Sequence, residues 1–314
     1  EGISFFSLPA PKFRRYFSFR TLLAPFQFIV ACIRAMFLLF RIEPDVCVTA
    51  GGYISVPVHV AAWFLGIPTW VHQQDLRVGL ANRLMAPSAK TVTCALEQQQ
   101  KMFSKKSVVW LGNPIRPELR LGDRERALAR FSLTKDLPVV FVTGGGTGSA
   151  RVNQLVIEAL EHIRAHCQVI HLLGKDRPSE AALRAAAREE RYHVYPFFTE
   201  EMKDAYAIAD IVIARGGFGT ISEAAALKKA TIFIPKPGHQ DENVQWIVDQ
   251  KAAYLLREES DTGNHLAQMI RSLLLNQQER TRVGEALHLL VPPARESDMK
   301  ELFVQTVYPR SSRL

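Results

Sequence analysis

Gly216, Gly217 and Gly219 sit between two apolar segments, Ile-Val-Ile-Ala at 211–214 and Thr-Ile-Ser-Glu-Ala-Ala-Ala-Leu at 220–227. The first segment reads as a buried parallel strand. The second reads as a helix whose alanines lie flat on a sheet, and 231–234 reads as the next buried strand. The glycines permit a tight turn and a close approach of ligand to backbone. Such a turn gathers free backbone N–H groups and the positive end of a helix dipole at one point, which suits an anion such as a diphosphate. Glu223 lies about one turn into that helix. Its carboxylate can accept hydrogen bonds from a ribose diol, or it can do no more than complement the dipole; the local pattern leaves both open.

A second strand–loop–helix precedes it. Residues 138–143 read as a strand that runs into Gly144-Gly-Gly-Thr-Gly-Ser149, with a helix at 151–162. The match to a dinucleotide fingerprint is loose. Gly144-x-Gly146-x-x-Ser149 lacks the third glycine, and the strand at 168–173 ends without an acid for a ribose, so NAD is disfavoured. No Lys-Ser/Thr pair follows either loop, which excludes a P-loop. His239, Gln240 and Asn243 lie in Gly238-His-Gln-Asp-Glu-Asn243, expected to cap a helix at 244–250; they read as a polar cap or as ligand contacts. Cys32, Cys47, Cys94 and Cys167 are far apart and form no Cys-x-x-Cys, which disfavours zinc and a disulfide framework and fits a reducing cytoplasm. With no Asp-x-Asp and no visible metal cluster, neither a metal nor a cofactor is expected.

These loops need a scaffold, and the chain is long enough to supply one. Its 314 residues favour two domains, and a hydrophobic content of 47% with 22% charged residues is that of a globular protein. The N-terminal half alternates strand-like and helix-like segments: strands at 44–49, 68–72, 91–94 and 107–111, helices at 58–65 and 82–85. That alternation argues for doubly wound α/β structure. The turns at 51–55, 72–75 and 113–116 then fall at the carboxyl ends of strands, where such sheets collect ligands. The net charge of +8 favours nucleotide phosphates or an anionic membrane surface; without a dense Lys/Arg run or a nucleic-acid motif, no nucleic acid is expected. From Phe17 to Phe40 the chain is at its most apolar, but Pro25, Gln27 and Arg34 break the run, so no membrane-crossing helix is expected. The stretch reads either as a buried helix before a strand or as a basic, aromatic patch resting on a membrane face.

Two α/β halves with glycine loops on facing edges point to a nucleotide-sugar transferase of the GT-B type: two Rossmann-like doubly wound domains facing a cleft. The chain resembles the MurG family, the UDP-N-acetylglucosamine transferases of peptidoglycan synthesis. The resemblance covers nearly the whole chain. It rests on Gly51-Gly-Tyr-Ile-Ser-Val-Pro57, His72-Gln-Gln-Asp75, Gly79-Leu-Ala-Asn82, Gly112-Asn-Pro-Ile-Arg116, Gly144-Gly-Gly-Thr-Gly148, Phe198-Thr-Glu-Glu-Met202, the run from Arg215 to Glu223, and His239-Gln-x-x-Asn243.

The resemblance implies a division into residues 1–116 for the acceptor and membrane, 117–285 for the UDP-sugar, and a C-terminal helix in 286–314 packing back on the first domain. It implies transfer of GlcNAc from UDP-GlcNAc, with inversion, to the C4 hydroxyl of a lipid-linked MurNAc-pentapeptide at the cytoplasmic face of the cell membrane, with the region from Phe17 to Phe40 as the membrane contact. Arg116 would lie near the diphosphate. Gly146 stands where the family carries a serine. Thr199 would hold the uracil edge through its backbone, and Phe218, Gly219, Thr220, Ile221 and Ser222 would line the phosphates by backbone N–H. Glu223 would take the ribose hydroxyls, and Gln240, with Asn243 close by, the GlcNAc hydroxyls. The family's Glu-x-Asn is here Gln73 and Asp75, and Asp75 can accept from a sugar hydroxyl but not donate. The family's opening glycine loop, with the histidine thought to be the general base, finds no counterpart within these residues, so the base is expected upstream of Glu1. Three other readings stay open: another GT-B lipid glycosyltransferase, a UDP-GlcNAc 2-epimerase, or a chain that binds UDP-sugar without turnover.

Overall fold

Short apolar runs closed by glycine or proline build two all-parallel sheets. The computed structural model describes residues 3–8, 24–103, 107–175 and 177–308; residues 17–23 of the expected membrane patch lie outside them. The chain divides into one unit of Glu1–Gly112 with Ala294–Leu314 and a second of Asn113–Pro293.

In the first unit β1 (Cys47–Thr49), β2 (Thr69–Gln73), β3 (Thr91–Cys94) and β4 (Val109–Trp110) pair in sequence order. Helix Ala24–Ile42 leads into β1. A helix before this strand is one of the two readings of the sequence; its apolar run reads as too interrupted to cross a membrane, yet the helix runs unbroken for 19 residues. Pro25 falls in the first turn, where a missing N–H costs nothing, and Arg34 faces solvent. By length and apolar composition alone this helix suffices to cross a membrane. Its small residues pack inward: Ala35 and Leu39 meet Ala61 and Ala62 of helix Ser55–Phe64. Its large ones do not, and Phe26, Ile29, Ile33, Met36, Phe37 and Phe40 are exposed.

The C-terminal region holds two helices. Gln277–Leu290 belongs to the second unit and Glu296–Val307 to the first. Pro292 and Pro293 stand between them, each without a backbone donor to carry a helix on. Met299 and Leu302 of the last helix pack with Trp70, Leu111 and Ala294, and the hydroxyls of Thr306 and Thr91 share a hydrogen bond of 2.6 Å.

The second unit is a six-stranded parallel sheet of β5 (Val139–Thr143), β6 (Gln168–Leu172), β7 (Tyr192–Tyr195), β8 (Ile211–Ala214), β9 (Thr231–Phe233) and β10 (Tyr254–Leu255). Their order is β10-β9-β8-β5-β6-β7. Every residue of β5, β6, β8 and β9 is buried, and these strands are mostly apolar, with Gln168 and His171 of β6 the larger polar exceptions. The chain reverses its winding between β5 and β8. This is the topological switch point, where sheets of this kind leave a crevice for ligands. Thr143 pairs with Ala214, so the two central strands end level and their glycine loops emerge side by side.

Candidate active site

The first loop leaves β5 at Thr143, whose hydroxyl accepts from the Gly145 N–H at 3.3 Å. It closes on Ser149, which caps helix Ala150–Ile163 by accepting from the Val152 N–H at 3.2 Å. Gly148 has φ +75, and a Cβ there would collide with the Leu173 carbonyl oxygen, so only glycine fits.

The second loop leaves β8 through Arg215 and Gly216 to helix Phe218–Ala226. Phe218, Gly219 and Thr220 present the first N–H groups of that helix, which have no intrahelical acceptor. Ile221 differs, because its N–H donates to the Gly217 carbonyl at 3.0 Å. The Ser222 N–H belongs to the next rung of the same ladder. The expectation that all five residues offer backbone donors is therefore corrected to the first three. Ser222 is buried, and its hydroxyl donates to the Phe218 carbonyl at 2.7 Å and accepts from Asn113 Nδ2 at 2.7 Å.

Both loops open on a hollow of about 270 Å³. Of the expected residues, Arg116, Gly146, Gly219, Thr220 and Glu223 line it, and Phe197, Phe198, Met202 and Tyr206 are among the other lining residues. Glu223 is engaged on both oxygens. Arg116 donates to Oε1 through Nε at 3.2 Å and Nη2 at 3.0 Å, while the Tyr206 hydroxyl donates to Oε2 at 3.3 Å. Burial, with the Glu223 charge beside it, raises the Tyr206 phenol well above its ordinary pKa. Arg116 was expected at the diphosphate; its guanidinium instead rests on the carboxylate expected to hold the ribose.

The other expected residues divide. The Thr199 N–H donates to Glu201 Oε2 at 3.0 Å, and backbone hydrogen bonds, from Glu201's own N–H first and from Thr199, hold that carboxyl below its usual range. Helix His239–Asp249 starts earlier than its sequence implies: Gly238, at φ +106, is the cap, and Gln240 and Asn243 lie inside the helix. Gln240 is half-buried and accepts from the Lys236 N–H at 3.1 Å. Asn243 is 1% exposed and donates to the Gly216 carbonyl at 3.4 Å, which makes it a brace beneath the second loop. Asp75 belongs to the first unit, where its carbonyl accepts from Gln73 Nε2 at 2.7 Å and Gln99 Nε2 at 2.5 Å. His72, in the same unit, is buried, and its Nδ1 shares a hydrogen bond of 2.8 Å with the Thr93 hydroxyl.

Sequence reasoning missed Tyr206, and placed Asn113 in a strand-end turn without its partner. A lone tyrosine in the alanine-rich Ala-Tyr-Ala-Ile-Ala that precedes β8 was the one available sign of the first. The partner of Asn113 is 109 positions away and left none.

Residues 139–290 match the model of the glycosyltransferase family 28 C-terminal domain, and residues 1–94 that of its N-terminal domain. The chain is 32% identical over 281 residues to UDP-N-acetylglucosamine–N-acetylmuramyl-(pentapeptide) pyrophosphoryl-undecaprenol N-acetylglucosamine transferase 2 of Bacillus anthracis, covering 88% of this chain and 79% of that one. It is 30% identical over 293 residues to the corresponding transferase of Legionella pneumophila, covering 91% and 80%. Among solved structures, MurG of Acinetobacter baumannii superposes with a TM-score of 0.68 at 24% identity, over 89% of this chain and 78% of that one. The UDP-GlcNAc 2-epimerase of Neisseria meningitidis, bound to UDP-GlcNAc, gives 0.66 at 13% identity, over 92% and 82%. These structural likenesses establish the fold, GT-B.

Proposed function

The chain belongs to the family of UDP-N-acetylglucosamine–N-acetylmuramyl-(pentapeptide) pyrophosphoryl-undecaprenol N-acetylglucosamine transferases, and from that premise we propose how its residues carry out the reaction. It is a UDP-GlcNAc-dependent glycosyltransferase of peptidoglycan synthesis. The C4 hydroxyl of the lipid-linked MurNAc gives its proton to a general base as its oxygen attacks C1 of GlcNAc with inversion, the C1–O bond to the diphosphate breaks, and UDP leaves.

The observation that carries the donor-site reading is the pair of glycine loops at the ends of β5 and β8, with Glu223 in the same hollow. Uracil lies against Phe198 and the Thr199 backbone. Glu223 accepts from the ribose hydroxyls. The diphosphate takes the N–H groups of Phe218, Gly219 and Thr220 and lies beside the loop at Gly146. Negative charge develops on that leaving group, so donors already aimed at it lower the barrier. Ribose binding displaces Arg116 from Glu223 and frees the guanidinium for the diphosphate. Gln240 contacts the GlcNAc hydroxyls, with Asn243 close by beneath the second loop, and Asp75 accepts from a sugar hydroxyl.

We further infer that the exposed face of helix Ala24–Ile42, with Trp63 and Phe64 of the neighbouring helix, rests on the cytoplasmic face of the cell membrane and brings the enzyme to its lipid acceptor. The stripe of large apolar side chains and the exposed Arg34 and Arg41 support this.

Glu223→Ala tests the donor site. UDP affinity measured by calorimetry is expected to fall about tenfold or more, the effect of losing hydrogen bonds to a charged acceptor. Unchanged affinity would remove Glu223 from the site. Formation of UDP-ManNAc from UDP-GlcNAc without any acceptor would favour the epimerase reading, which the structural likeness to a 2-epimerase keeps in view.

A further inference from the structure

One side chain outside the hollow ties its two glycine loops together. Arg215 follows β8 and is 15% exposed in its side chain. Its Nη2 donates to Ser149 Oγ at 2.5 Å, the residue on which the first loop closes. Its Nη1 donates to the Ile234 carbonyl at the end of β9, 2.9 Å away, and lies 2.5 Å from Glu258 Oε2. The segment carrying Glu258 is anchored in turn to the helix after the first loop. Arg151 donates to the Glu258 carbonyl at 2.8 Å and to the Asp261 carbonyl at 2.9 Å. A single guanidinium therefore joins the first loop, the second loop, the end of β9 and the chain beyond β10.

Arg215 is not among the residues that line the hollow. Its charge is paired with Glu258, itself only 17% exposed, so the field it casts on a bound anion is that of an ion pair. What it contributes is spacing, since a planar guanidinium holds its donors in a fixed fork. We propose that Arg215, locked between Ser149 and Glu258, is a positioning residue that sets the separation of the two glycine loops so that both close on one diphosphate. The proposal rests on the donor-site reading above. It also separates two halves of the ligand: Thr199, Phe198 and Glu223, assigned to the nucleoside, share no hydrogen bond with Arg215.

The test uses the full chain and two probes, UDP by calorimetry and uridine by ligand-observed NMR, with thermal melts of every variant. Arg215→Lys is expected to weaken UDP by about tenfold while leaving uridine within about twofold. Glu258→Gln keeps the arginine but loosens its lock. Under the positioning role it also weakens UDP, by a smaller factor. If Arg215 acted as a plain positive charge, Glu258→Gln would unmask it and tighten UDP, and that result overturns the proposal. UDP affinity unchanged in Arg215→Lys overturns it as well, and so does a parallel loss of UDP and uridine, the mark of general structural damage. A parent chain that binds uridine but not UDP sinks the donor-site reading and the proposal together, whereas a parent that binds both leaves that reading standing whatever the variants do.

Discussion

His171 on β6 shows how a polar group survives in the core of a parallel sheet. It is fully buried between Asn153 Oδ1, 3.1 Å from Nε2, and the Tyr192 hydroxyl, 2.7 Å from Nδ1. Burial pushes its pKa from 6.5 down to about 3. In the unfolded chain it takes a proton near pH 6.5; in the folded chain it stays neutral until near pH 3. Its contribution to stability is therefore intact above the unfolded value and drains away as pH falls through that window. His171→Gln should make the decline of stability between pH 6 and 4 shallower by about 1.4 kcal/mol per pH unit, read from denaturant unfolding at several pH values. The slope will not vanish, since burial also lowers the pKa of His59 and His193. An unchanged slope would mean that His171 is accessible to protons in the folded state.

At the scale of elements, the sequence was most readable where one physical demand left one residue type. Strands β5 and β8 are buried on both faces, so only apolar runs fit, and their bounds could be read to within a residue. Gly148 meets a carbonyl where a Cβ would sit, so the loop announces itself as glycine. Gly148→Ala should lower stability by about 3 kcal/mol in denaturant unfolding and abolish measurable UDP binding. Wild-type stability in that variant would show that the loop can move aside. The site was less readable where it depends on pairing across the chain. Nothing local joins Arg116 to Glu223, 107 positions apart, or Arg215 to Ser149, 66 apart. A helix before β1 is legible, but its apolar run reads as too interrupted to cross a membrane. Pro25 and Arg34 were counted as interruptions, but a proline in the first turn and an arginine on the wet face interrupt nothing.

At the scale of the molecule, a net positive charge accompanies an exposed apolar helix face. The chain carries +8, and among the described residues a long row of exposed apolar side chains lies on helix Ala24–Ile42. Ile33→Asp combined with Phe37→Asp should cut sedimentation with anionic lipid vesicles by about tenfold or more, because each removed side chain forfeits about 1.5–3 kcal/mol of insertion. Both side chains are exposed, at 48% and 73%, so melting temperature and UDP affinity should hold. Equal sedimentation of variant and parent would mean that this face is not the contact.

The path of the chain between its two units has a consequence for synthesis. The second unit is one uninterrupted stretch, while the first is written in two pieces, with Met299 and Leu302 completing the packing around Trp70 and Leu111. A ribosome therefore releases every residue of the second unit before it releases the helix that seals the first. The portion made first is the portion finished last. A message cut short after Leu290 yields a complete second sheet beside a first one whose tryptophan still faces water, a product that quality-control proteases can recognise by that exposed core.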